Sequence, residues 1–279
     1  MPRLHRLLRV ALILPLLGLG QPPAVPKRVV SLNMCADQLL IALADPGQIA
    51  ALTEWARDPQ LSYYADRAKG LPFTHHSAEE VLALRPDLVI GAPFRTKEVL
   101  EPLKARGVAL VDLAPQESPE SAEEAIRTVA AALGHPERGD ALIASMRAKL
   151  ARIGPPPGRG RTVAYYQRQG YLTGTDTLVD AMMRRVGLVN ITARLGRPAF
   201  SRISLEELVM ARPDFVVTEE SASASEDRTA AMIRHPLLDR ALRPGHHLVI
   251  PQALTVCGGP SYPDAVALLA REIRQADRH

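Results

Sequence analysis

The chain has 279 residues, 47% of them apolar, a formal net charge of +4 and only two cysteines. That length suffices for one large domain or for two lobes with separate cores, and two cysteines exclude a disulfide framework while leaving room for a single bridge. Arg3, Arg6 and Arg9 lie in the first twenty residues, where there is no acidic side chain; removing them from the 34 basic residues leaves 31 against 30 acidic ones, a net charge near +1. Nothing in that balance suits nucleic acid, which calls for clustered excess Lys and Arg.

Taken in chain order, the first element is a leader. Three arginines precede an apolar run over 10–19, which is too short to span a bilayer and has the layout of a cleavable secretory signal over 1–20. Gly18 and Gly20 suit a cut after Gly20, with Ala24 as a second site. A buried core helix is the weaker reading, because Pro15 interrupts the run and Pro22, Pro23 and Pro26 follow it. No cysteine follows for lipid attachment, so no membrane anchor is expected, and the mature protein is expected free in a periplasm. No other stretch is long and apolar enough to cross a membrane.

From residue 21 to 115, short β-branched runs alternate with helical patterns. Strands are expected at 29–32, 49–52, 88–90 and 108–113, and helices at 36–44 and 97–106. Such alternation argues for α/β units with parallel strands covered on both faces. From 116 to 158 the strand signal stops; Ala-rich helical sequence runs from Pro119 to residue 153, broken once near Gly134, His135 and Pro136, with one helix expected over 137–153. Gly154 and Pro155 to Pro157 end it. The alternation resumes over 159–279, with strands expected at 162–166, 215–218 and 248–250, and helices at 178–186 and 264–276. The order is lobe, helical connector, lobe.

One helix-to-strand element occurs twice. Residues 77–90 (SAEEVLALRPDLVI) and 204–217 (SLEELVMARPDFVV) agree at seven of fourteen positions, and the other seven are apolar in both. Ser77 with Glu80, and Ser204 with Glu207, have the spacing of a capping box. Pro86 and Pro213 disfavour helical geometry at the preceding arginine and so end each helix. Capping leaves Glu79 and Glu206 without a role, since they point about 100° round the helix from their neighbours. Their local reading is a favourable carboxylate near a helix N-terminus.

These paired elements, the connecting helix and the opening RVVSLNMCADQLLIAL resemble the periplasmic binding proteins for cobalamin, ferric siderophores and haem, over nearly all of the chain beyond the leader. The resemblance implies an α/β fold of two Rossmann-like lobes with mainly parallel sheets, joined by a single long rigid α-helix. It implies no resident cofactor and no catalysis. It implies, as partners, a metal-chelate or corrinoid ligand held between the lobes and a dimeric ABC permease. A glutamate on each lobe of that family docks into the permease, and its positions match Glu79 and Glu206. One carboxylate per lobe suits a two-fold partner with arginine pockets.

Ligands of doubly wound sheets sit beyond the carboxyl ends of the strands, so facing lobes place those loops in a shared cleft. By that rule the candidate ligand residues are Cys35, Trp55, Phe94 and Arg95 in the first lobe, and Tyr166, Arg168, Tyr171, Arg197 and Cys257 in the second. Ordinary core packing competes for any single aromatic, and is the reading taken for Phe215 and Tyr165. Aromatic faces with nearby arginines suit a large, flat or catechol-bearing anionic ligand. Arg95, Arg168, Arg197 and Arg202 are the candidates to meet anionic groups, against a solvated surface for each, which is the reading taken for Arg202; the arginine count leans toward a ferric siderophore over cobalamin. For Cys35 and Cys257 three readings compete: inert buried thiols, favoured because cysteine is often buried as a small hydrophobe; a bridge across the cleft; or soft metal ligands.

The sequence holds no P-loop, nucleophile elbow or zincin helix. His75 and His76, and His246 and His247, are adjacent pairs that do not face one metal and are expected on the surface or in loops. The rival from another class is a periplasmic metallocofactor-processing enzyme, a chelatase or reductase using the two cysteines. A module that only binds a macromolecular partner is the remaining alternative, and it predicts no small ligand.

Overall fold

A computed structural model describes residues 25–75, 77–91, 97–220, 235–236, 242 and 245–278. The leader, His76, Phe94 and Arg95 lie outside the described residues, as does the side chain of Arg168.

Two parallel-dominated sheets carry the fold. The first is built from β1 (Val29–Ser31), β2 (Ile49–Thr53), β3 (Phe73–Thr74), β4 (Leu88–Gly91) and β5 (Ala109–Asp112), in the order β3-β2-β1-β4-β5 with every pairing parallel. The second contains β6 (Thr162–Tyr166), β7 (Tyr171–Thr173), β8 (Val189–Asn190), β9 (Phe200–Arg202), β10 (Phe215–Glu220) and β11 (His247–Pro251). Its order is β11-β10-β6-β7-β9, with β8 against β6; β7 runs antiparallel to both neighbours. Val29, Val30, Val89 and Ile90 are at most 1% exposed, as strands covered on both faces require.

Helices α1 (Met34–Leu43), α2 (Ala78–Ala83) and α3 (Lys97–Lys104) belong to the first lobe. Helices α6 (Leu178–Arg185), α7 (Ile191–Leu195), α8 (Leu205–Ala211) and α9 (Tyr262–Ala276) belong to the second. Between the lobes stand α4 (Pro119–Ala132) and α5 (Pro136–Ala151). The helical stretch breaks at Gly134, which takes φ +80°, where the sequence marks a break; α4 packs in the first lobe's core. α5 alone reaches both cores: its Ile143 and Met146 are buried with α1 and α4, and Leu150 packs against the second lobe's core. Its 16 residues give about 24 Å of rise, enough to bridge two packed lobes.

The repeated element folds alike in both lobes. Ser77 and Ser204 each accept the N–H of the glutamate three residues on, at 3.2 and 3.1 Å. In the second copy Glu207 returns the bond to the Ser204 N–H at 3.0 Å, completing the box. In the first, Glu80 reaches further upstream, accepting from the Thr74 hydroxyl and the His75 N–H. The residues before the prolines, Arg85 and Arg212, turn left-handed at φ 45° and 47° and stop each helix. Asp87 then accepts the N–H groups of Lys27 and Arg28, at 2.7 and 2.9 Å. Asp214 accepts the N–H and hydroxyl of Thr162, at 2.7 and 2.9 Å. Each aspartate therefore pins the start of its lobe's neighbouring strand, β1 or β6.

Candidate functional site

The lobes meet along one seam. Cys35, in the first turn of α1, and Cys257, ahead of α9, form a disulfide with Cα atoms 5.4 Å apart across 222 residues of sequence. Neither sulfur is a thiol, so the favoured reading of two inert buried thiols is corrected, and metal ligation by thiolate falls with it. Beside the bridge, Asp264 at the start of α9 accepts the Tyr63 hydroxyl and pairs with Lys149 of α5 at 3.1 Å. Burial, and then the hydrogen bond to Asp264 and that carboxylate's charge, push the Tyr63 phenol well above its ordinary value. Gly258 permits the closest backbone approach: a Cβ there would lie 2.4 Å from that of Gln116.

Beyond the bridge lie the carboxyl ends of the strands. Trp55 follows β2 in a turn (Glu54–Arg57) and is part-exposed. That turn is held from below by Asp37, whose carboxylate accepts the Thr53 N–H at 3.0 Å and its hydroxyl at 2.5 Å. In the second lobe Tyr171 is 37% exposed, with the Arg202 guanidinium 4.8 Å over its ring. Arg202 also donates to Gln169 at 3.2 Å. Glu219, near the end of β10, accepts at a single oxygen from Tyr165 (3.0 Å), Gln167 (3.1 Å) and Thr255 (3.3 Å).

Several expected ligand residues fall elsewhere. Tyr166 is fully buried among Ala164, Leu172, Ile191 and Leu208, under α7 and α8, because β6 is covered on both faces. Its phenol is raised by burial and then by the charge of Glu206. Arg197 bonds the Arg202 carbonyl at 2.6 Å and the Glu207 carboxylate at 3.1 Å, so it braces the start of α8. His246 lies in the loop before β11, as expected, but is buried there: it stacks on Phe215 at 4.4 Å and bonds the Asp214 carbonyl. The residues that sequence reasoning passed over are Tyr63 and Glu219, while Arg202, expected on a solvated surface, lies over the Tyr171 ring. The place of Glu219 near a strand end could have marked it; Tyr63 lies in the long connection between β2 and β3, where no sequence signal stands out.

Glu79 and Glu206 are exposed, each in the first turn of a helix that follows an edge strand, β3 or β9. Among the described residues neither carboxylate has a hydrogen-bond or ion-pair partner. Glu79 rims a surface hollow of about 550 Å³ shared with Leu82, Pro86 and Arg106. One turn after Glu206, Met210 is 79% exposed. Among the described residues no group of His, Cys, Asp and Glu could hold a metal ion, and no helix is long and apolar enough to cross a membrane.

Two α/β lobes joined through helices, with strand ends facing a common seam, define a bilobal binding fold. Residues 29–253 match the periplasmic binding protein family, and the chain belongs to it. A cobalamin-binding protein from Halobacterium salinarum is 27% identical over 214 residues, which are 75% of this chain and 58% of that relative; the match thus spans little over half of the relative's length. The periplasmic haem-binding protein RhuT from Roseiflexus sp. RS-1 superposes with a TM-score of 0.71 at 27% identity, covering 90% of this chain and 98% of that one. The vitamin B12 binding protein BtuF of Vibrio cholerae superposes at 0.70 with 18% identity, covering 91% and 99%, a likeness of fold.

Proposed function

We propose that this protein is exported through a cleavable signal at 1–20, works free in the periplasm, and captures an iron-siderophore, corrinoid or haem-type ligand between its lobes for an inner-membrane ABC importer. The relatives named above bind such ligands, and a disulfide between the lobes suits an oxidising compartment. Trp55 and Tyr171, from opposite lobes, supply aromatic surface for a large ring or chelate. The relatives named above are binding proteins, which favours capture over a chelatase or reductase acting through the two cysteines.

The observation that carries delivery to a permease is the pair of free, exposed carboxylates at the same position of the repeat in each lobe. A two-fold partner can engage both through charge-assisted pairs to arginine, and Met210 and the hollow beside Glu79 give apolar surface next to each charge. In a strain that depends on this protein for uptake, Glu79→Arg with Glu206→Arg abolishes transport while purified variant and wild type bind ligand equally. Loss of affinity in step with uptake would place these glutamates in the ligand site instead.

A further inference from the structure

We infer that Glu219 selects the ligand: its carboxylate receives nitrogen donors, amide or ammonium, at the ligand's edge and disfavours ligands edged with carboxylates. This rests on the reading that the cleft binds a metal chelate or corrinoid. Glu219 stands at the carboxyl end of β10, where strand ends face the seam between the lobes. Its Oε1 is held from three elements: Tyr165 in β6, Gln167 just beyond β6, and Thr255 in the turn after β11. Gln167 is itself oriented by the Thr173 hydroxyl, which donates to its Oε1 at 3.1 Å, so its amide hydrogens point to Glu219. Tyr165 is fully buried; burial and then the charge of Glu219 keep its phenol protonated and donating.

Three donors on one oxygen fix the plane of the carboxylate before any ligand arrives. The other oxygen, Oε2, has no hydrogen-bond partner among the described residues, and the side chain is part-exposed. A preorganised anion with a free acceptor face rewards N–H donors, whose bonds to a charged acceptor are stronger than neutral ones. It penalises an anion brought to the same place. Two of the arginines expected to meet anionic groups, Arg197 and Arg202, are also spoken for, the first bracing α8 and the second stacked on Tyr171. Within the proposed ligand classes, this chemistry fits the corrinoid, whose ring is fringed with primary amides. It fits poorly with haem, which carries two propionates, and with carboxylate-type ferric siderophores.

The test is isothermal titration of full-length wild type, Glu219→Gln, Glu219→Ala and Tyr165→Phe with cyanocobalamin, haemin and a ferric carboxylate siderophore, with thermal melts as a folding control. Glu219→Gln turns an N–H group toward the seam. It is expected to weaken cyanocobalamin about tenfold or more while leaving haemin unchanged or tighter. Glu219→Ala loses cyanocobalamin affinity likewise, and Tyr165→Phe loses less in the same direction. A structural role would move all ligands together, and that result overturns the inference, as does cyanocobalamin binding that is unaltered in Glu219→Gln. Wild type that binds haemin or the ferric siderophore but not cyanocobalamin also overturns it, with ligand capture intact. Wild type that binds none of the three contradicts the capture reading beneath it.

Discussion

Asp37 is a fully buried carboxyl group in the first turn of α1, and the turn that carries Trp55 hangs from it. Burial dominates its titration and pushes it up to about 6, although the Ser31 and Thr53 bonds pull the other way. The folded protein therefore holds a proton there that the unfolded chain releases near 3.8. Unfolding then releases that proton between pH 4 and 6, so stability from this group is greatest below that window and falls as pH rises through it. About two units correspond to about 3 kcal/mol. In urea unfolding from pH 4 to 7, Asp37→Asn should flatten that decline; a variant with the wild-type slope would assign it to other groups. Nothing in the sequence marks Asp37 apart from other helix residues, because its burial depends on the β2 turn folding over it. Tyr166 was misread for a related reason. A strand buried on both faces gives no alternation of polar and apolar residues, so the sequence cannot tell which tyrosine of β6 approaches the cleft.

At the scale of elements the sequence was more informative. The repeated Ser-to-Val element carries its own instructions: a serine cap, a glutamate three residues later, an arginine forced out of helix by proline, and an aspartate that ties down the next strand. These are short-range interactions, and they recur in both lobes with the same bonds or near substitutes. Strands β1, β2, β4, β5, β6, β10 and β11 fall where apolar runs place them. The missed elements were the short helix α7, of five residues, and the strands β3, β7, β8 and β9, each of two or three residues, too short for a period-two pattern to register. They matter nonetheless, because β7 and β9 bring Tyr171 and Arg202 together and β3 and β9 precede the two glutamate-bearing helices. The break at Gly134 falls where Gly134 and Pro136 mark it in the sequence, and the helix expected beyond it is α5, which reaches both cores.

At the scale of the whole molecule, the disulfide and α5 are two links between the same lobes, with Tyr63, Asp264 and Lys149 beside them. Cysteine count allowed a bridge, but its formation depends on the fold bringing α1 and the loop before α9 within reach. Closing 222 residues removes unfolded-state entropy worth up to about 5 kcal/mol on a chain-entropy estimate. Cys35→Ser with Cys257→Ser should lower the urea midpoint markedly, and dithiothreitol should do the same to wild type but nothing to the variant. Equal midpoints for variant and wild type would mean the bridge holds nothing that α5 does not. With the lobes so linked, the proposed capture of a ligand without conversion is open to native mass spectrometry of purified protein incubated with cyanocobalamin, haemin and ferric siderophores. A one-to-one complex that releases its ligand at unchanged mass is expected; a ligand released chemically altered, or no complex with any of them, would rule capture out.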